Sequence, residues 1–223
     1  MIERTICVIC LGVGYLFGCI QTAYIVGRIK GIDIRKKGSG NLGATNTLRV
    51  LGTFWGIFTA VMDIVKVFAA EFLMYYIISP GLGFPIDRIT LFLYTGIGVV
   101  LGHDFPFYLN FKGGKGVAAT AAVLISLWDW KMIVIGVVVF FSIAAFTGYI
   151  SLASMSLVTV ELIIFIIFTQ NGLIVLTDKW NSDCYIIIIV MTLLCIFQHR
   201  ENIARLVNGT ENKFKFHKGN KEK

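Results

Sequence analysis

The chain has 223 residues, 57% hydrophobic and only 15% charged, with a formal net charge of +7 and a mean hydropathy of +0.79. That balance places it among polytopic membrane proteins. Runs such as YIIIIVMTLLCIF do not alternate in polarity, which excludes the strands of a closed β-barrel, so each span satisfies its own backbone hydrogen bonds as a helix.

Seven apolar stretches follow in chain order, at about 5–26, 53–78, 89–109, 116–128, 132–150, 152–169 and 184–198. The first resembles a signal peptide in position only. It is longer than an h-region and has no A-x-A cleavage site, so it reads as a retained span. The second carries Asp63 and Lys66, three apart, and reads as an intrahelical ion pair, because a lone charge in mid-bilayer costs at least ~2.5 kcal/mol. The fourth is short. At ~1.5 Å per residue it covers roughly 20 Å against ~30 Å of hydrocarbon, so it either turns back or starts inside a polar cavity, its positive end toward an anion. The sixth holds Glu161, with no evident partner.

Five cysteines (Cys7, Cys10, Cys19, Cys184 and Cys195) lie in apolar runs or at their edges and read as packing residues, with no metal or disulfide framework. If all seven stretches cross, one side collects fifteen Lys and Arg and the other four, with Lys66 inside a span. The positive-inside rule then puts the N-terminus out and the C-terminus in. Trp128, Trp130 and Trp180 fall on the outer side, where aromatic anchors belong. The expected fold is an all-α polytopic membrane helix bundle of about seven transmembrane helices. Residues 1–205 form the membrane domain and 206–223 a basic cytoplasmic tail.

Three polar clusters converge on the inner face in this topology. KKGSGNLGATNTLRVLG (36–52) joins the first two spans; Gly38, Gly40 and Gly43 let the backbone approach a ligand, Ser39, Asn41, Thr45 and Asn46 offer neutral hydrogen bonds, and Arg49 a planar fork suited to phosphate. A flexible linker is the plainer reading. GHDFPFYLNFKGGKGVAAT (102–120) sets Gly113, Gly114 and Gly116 around Lys112 and Lys115, as a nest of backbone amides would, or as a basic loop on lipid headgroups. It is no P-loop, since Gly116 stands where Ser or Thr is required. QHRENIARL closes the last span with His199 and Asn202 one turn apart. GYISLASMS adds Ser151, Ser154 and Ser156, which also suit close helix packing.

GSGNLGATNTLR (38–49), GHDFPFYLNFKGGKGVAAT (102–120) and QHREN (198–202), in that order, together with SLAS (151–154) and DIVK (63–66), resemble the bacterial PlsY family of acyl-phosphate-dependent glycerol-3-phosphate acyltransferases. The resemblance implies transfer of a fatty acyl group from acyl phosphate to the 1-hydroxyl of glycerol 3-phosphate, giving lysophosphatidic acid. It also implies a bacterial cytoplasmic (inner) membrane enzyme whose active site faces the cytoplasm. Carried over by motif position, Ser39, Arg49, Lys115 and Ser154 are phosphate ligands, and His199 and Asn202 touch the glycerol phosphate. Gly38, Asn41, Asn46, His103, Lys112, Gly113 and Gly114 shape the acyl-phosphate loop. Many relatives carry a basic residue where this chain has Gly148.

The implied chemistry needs no metal, cofactor or covalent intermediate: acyl phosphate is a mixed anhydride, and the enzyme holds two phosphate-bearing molecules together with Arg49, Lys112 and Lys115. Either His199 or a substrate phosphate oxygen accepts the proton. No H-x-x-x-x-D pair exists around His103 or His199, so acyl phosphate rather than a thioester is the expected donor. The partners expected are the two substrates and membrane lipid, not nucleic acid, for a monomer or weak oligomer. A small-anion transporter and a structural scaffold are the rival readings; the first should show repeat symmetry, and the second leaves the glycine-rich clusters without a purpose.

Overall fold

A chain this apolar folds by closing its backbone hydrogen bonds inside helices. The computed structural model describes residues 2–78, 86–127 and 130–214, and among these there are helices and loops but no strand. In chain order the helices are α1 (Ile2–Gly18), α2 (Thr22–Ile29), α3 (Ala44–Leu51), α4 (Thr53–Ile78), α5 (Arg88–Asp104), α6 (Val117–Ser126), α7 (Trp130–Thr147), α8 (Ile150–Gln170), α9 (Asn181–Gln198) and α10 (Arg200–Val207). Five segments among the described residues are long and apolar enough to cross a membrane: Ile2–Ile29, Arg88–Leu109, Trp130–Thr147, Ile150–Gln170 and Asn181–Gln198. Helix α4 has 26 residues but carries Asp63, Lys66 and Glu71, and α6 has only 10.

Helix α5 is the central post, buried along nearly its whole length. It packs on α1 through paired glycines. Gly14 and Gly18 face Thr95 and Val99, while Gly98 and Gly102 face Leu11 and Tyr15, and a β-carbon at any of the four would overlap the opposing backbone carbonyl. Without a hydrophobic force between helices in lipid, such close backbone approach is what holds a pair together. The apolar core continues from α5 to α4, α6 and α9 through Val67, Val123 and Ile188. Helix α7 turns much of its surface outward, with Val134, Val138 and Phe146 exposed as a lipid-facing side requires.

The first span is not one helix. It breaks between Gly18 and Thr22, where the apolar sequence runs on without a signal apart from Gln21. The break frees carbonyls that hydrocarbon cannot solvate, and buried side chains take them up. Lys66 Nζ donates to the carbonyl of Ile20 at 3.1 Å, and Gln21 Nε2 bridges to the carbonyl of His103 at 2.9 Å. Lys66 also binds Asp63 Oδ1 at 2.9 Å, so the ion pair expected on this helix forms, and it reaches His103 Nδ1 at 2.8 Å. Because an ammonium only donates, Nδ1 accepts and the imidazole carries its proton on Nε2.

One expected anchor is corrected. Trp180 is 1% exposed, not interfacial: the Arg4 guanidinium lies 4.6 Å above its ring. Arg4 and the Tyr94 hydroxyl both bind Asp183, which joins α1, α5 and α9 at that end. Trp130 is exposed as an anchor should be, and Trp128 lies outside the described residues.

Candidate active site

The loop between α2 and α3 is built around one side chain. Asn46 is buried; its Oδ1 accepts the Ser39 amide at 2.8 Å, and its Nδ2 donates to the carbonyls of Lys37 (3.1 Å) and Asn41 (3.0 Å). A short polar side chain that closes three backbone groups turns a Gly- and Ser-rich stretch into a fixed wall. That wall presents Ser39, Asn41 and Arg49 to a cavity of about 490 Å³. The flexible-linker reading therefore does not hold.

The opposite wall comes from the far half of the chain. Lys115 precedes α6, whose first residues Val117 and Ala118 also line the cavity, so this short helix starts at it, one of the two arrangements its length left open. Ser151 and Ser154 come from the first turns of α8, His199 from the junction of α9 and α10, and Asn202 and Arg205 from α10. One cavity thus gathers Ser39, Asn41, Asn46, Arg49, His103, Lys115, Ser154, His199 and Asn202 from four helices (α3, α5, α8 and α10) and the loops and junction between them.

Four expected site residues are not brought there, and these are corrections. Lys112 is exposed and lies outside the cavity lining, as do Gly38, Gly113 and Gly114. The amide nest fails for a specific reason: the Gly113 amide donates to the carbonyl of Asp104 (3.0 Å) and that of Gly114 to the carbonyl of His103 (2.9 Å), so both cap the end of α5. Gly114 has no side chain because the His103 imidazole fills that space, and Gly38 leaves room for Asn46 Oδ1.

Three cavity residues are absent from the expected site: Ser151, which the sequence offers in a polar cluster that also suits helix packing, and Arg205 and Glu211. The Glu211 carboxylate accepts from Ser151 Oγ (2.8 Å), Asn202 Nδ2 (2.6 Å) and Arg205 Nε (2.7 Å). Asn202 Oδ1 in turn accepts from Lys115 Nζ. Burial alone would raise the Glu211 carboxyl, but the hydrogen bonds from Asn202, Arg205 and Ser151 outweigh it and hold the group below its ordinary range. Glu211 therefore stays ionised and orients all three partners. A signal was available: Asn202 and Arg205 are three apart on one helical face, and Glu211 is an isolated acid in a basic tail.

Burial, and then the charge of Arg205, push the Lys115 ammonium below its usual value. A cation so placed is short of counter-charge and suited to a phosphate. His199 Nδ1 lies 2.7 Å from the carbonyl of Cys195, which can only accept, so Nδ1 carries the proton and Nε2 is left as an acceptor. Burial, joined by the charge of Lys115, lowers the His199 imidazole to about 4, so it is neutral at physiological pH. At Gly148 (φ +76°) Lys213 from the C-terminal segment lies alongside, its ammonium 5.5 Å over the Tyr149 ring. It does not line the cavity.

Beyond the polar end the cavity continues between α7 and α8 along Met132, Ile133, Val137, Phe140 and Leu157. The pattern is that of an integral membrane protein with a cation-lined polar pocket opening onto an apolar arm. No group of three or more metal-ligating side chains occurs among the described residues.

The family model described as glycerol-3-phosphate acyltransferase matches residues 8–209. A glycerol-3-phosphate acyltransferase of Thermosipho melanesiensis is 40% identical over 202 residues, 90% of this chain and 89% of its own. One of Halalkalibacterium halodurans is 38% identical, over 89% of this chain and 91% of its own. Among solved structures, the crystal structure of PlsY (YgiH), an integral membrane glycerol 3-phosphate acyltransferase, in its glycerol 3-phosphate form, superposes with a TM-score of 0.77 at 32% identity, covering 94% of this chain and 96% of that one. Its lysophosphatidic acid form gives 0.76 at 31% identity, covering 94% and 95%. The chain belongs to the glycerol-3-phosphate acyltransferase (PlsY) family.

Proposed function

We propose that this protein transfers a fatty acyl group from acyl phosphate to the 1-hydroxyl of glycerol 3-phosphate, releasing phosphate and lysophosphatidic acid, with no covalent enzyme intermediate. The observation that carries this reading is the meeting of Arg49, Lys115 and Asn202, from three separate segments, in one cavity with an apolar arm. Such a cavity suits two phosphates and one hydrocarbon chain, and the relatives are named for glycerol 3-phosphate.

In this reading Arg49 and Lys115 offset the repulsion between the two substrates, while Ser39 and Ser154 fix the phosphates by hydrogen bonds. The glycerol hydroxyl oxygen bonds to the acyl carbon, and the carbon–oxygen bond to phosphate breaks. The hydroxyl proton goes to a phosphate oxygen, whose second pKa of about 6 exceeds that of His199 at about 4. His199 Nε2 then accepts a hydrogen bond from the glycerol and orients it, together with Asn202. The protein sits in the bacterial inner membrane with about seven crossings, α4 and α6 included, and its site faces the cytoplasm beside the basic loops. Residues from 206 onward form a basic tail, of which Glu211, Asn212 and Phe214 line the cavity.

Purified protein in detergent, given glycerol 3-phosphate and either acyl phosphate or acyl thioester, tests this. Lysophosphatidic acid and free phosphate from acyl phosphate alone are expected. Product from the thioester alone, or no product from either, overturns the reading.

A further inference from the structure

The apolar arm of the cavity contains an acid. Glu161, on α8, stands among Met132, Ile133, Val137, Phe140 and Leu157. It is 4% exposed, and its Oε2 has no hydrogen-bond partner among the described residues. Gly136 on α7 lies against its other oxygen, and a β-carbon there would collide with Oε1, so the missing side chain is the space the carboxyl occupies. A buried polar group without a partner is costly, and one in a span generally serves a purpose.

Its depth suggests that purpose. Ser154 lines the polar end of the cavity, and Glu161 is two turns further along the same face of the same helix, roughly 10 Å deeper at ~1.5 Å per residue. An acyl chain whose carboxyl carbon lies at the polar end must pass Glu161 partway along its length. Methylenes short of that point exchange water for apolar wall. Methylenes at that point meet a carboxyl with an unpartnered oxygen in place of apolar wall.

We propose that Glu161 is a specificity-determining residue of this site, a ruler that limits the acyl chains accepted by the arm between α7 and α8. The proposal rests on the acyl-transfer reading above. The test measures kcat/KM for a homologous series of saturated acyl phosphates, medium to long, presented in the same bilayer, for the wild type and the Glu161→Leu and Glu161→Gln variants. In the wild type, kcat/KM should rise with each added carbon pair and then stop rising at one length. Glu161→Leu should remove the stop and raise the long-to-medium ratio about tenfold. Glu161→Gln, which keeps a polar amide of the same shape, should retain it. The KM for glycerol 3-phosphate should be unchanged in both.

Comparing variant with wild type at each length cancels differences in partitioning. An unbroken series in an active wild type overturns the ruler alone, even if the leucine variant fails to fold. So does a ratio that Glu161→Leu leaves unchanged. A wild type inactive with every acyl phosphate overturns both this proposal and the reaction it rests on.

Discussion

Two clusters in this protein use the same residue types to opposite ends. Around Lys66, a buried Lys, Asp and His meet, with Asp63 and His103 at the cavity wall, and the ammonium spends its donors on Asp63, His103 and the carbonyl of Ile20. Around Lys115, a Lys, an Asn, an Arg and a Glu stand at the cavity wall, and Glu211 holds Asn202 and Arg205 while Lys115 and His199 line the open space. A cation whose donors all go to the protein fixes structure; one with donors left over binds a ligand. The Asp63 carboxylate does line the cavity, yet its partner is internal.

The largest effect expected from this contrast is on stability. Lys66→Met leaves Asp63 unpaired and a helix break unsatisfied, and should cost about 3–5 kcal/mol, read as a lost or strongly lowered thermal midpoint in detergent. Lys115→Met should do the reverse: kcat/KM for acyl transfer falls about a hundred- to a thousandfold while the midpoint moves little. A midpoint that collapses with Lys115→Met would erase the distinction between the two clusters.

His199 sharpens the comparison through pH. Its folded value of about 4 lies below the ordinary 6.5, so the folded state binds fewer protons than the unfolded one between those values. The stability tied to His199 is therefore complete above pH about 6.5 and declines as pH falls toward 4. His199→Gln should flatten the thermal midpoint across that window. It should also lower turnover about tenfold, as loss of an orienting hydrogen bond would, and leave the acid limb of the rate profile in place. An acid limb that disappears would make His199 the base.

Smallest is Ser151→Ala, which removes one of three hydrogen bonds to Glu211 and should slow turnover a fewfold at an unchanged thermal midpoint.

Much of the site was legible because its chemistry is local. Ser39, Arg49, Lys115 and Asn202 stand out as polar residues in a greasy chain, and orientation by charge put them on one face. What the sequence hid was where backbone donors go. The run Gly113–Gly114 is as good a nest as any until α5 ends beside it and takes both amides. The break after Gly18 is equally silent, since Cys19 and Ile20 are as apolar as their neighbours. Trp180 has the position of an interfacial ring, and only the arrival of Arg4 and Tyr94 from distant helices buries it. Arg205 ends the expected membrane domain and Glu211 falls in the expected tail, and their pairing depends on a turn through Gly209, which no periodicity announces.

The link from Lys66 to the Ile20 carbonyl also bears on how this chain enters a bilayer. Alone in hydrocarbon, the leading segment would arrive with carbonyls that nothing there can satisfy, and the second would arrive with an ammonium seeking acceptors. Each cancels the other's penalty. The two segments are thus most cheaply held in an apolar surrounding side by side, as one hairpin.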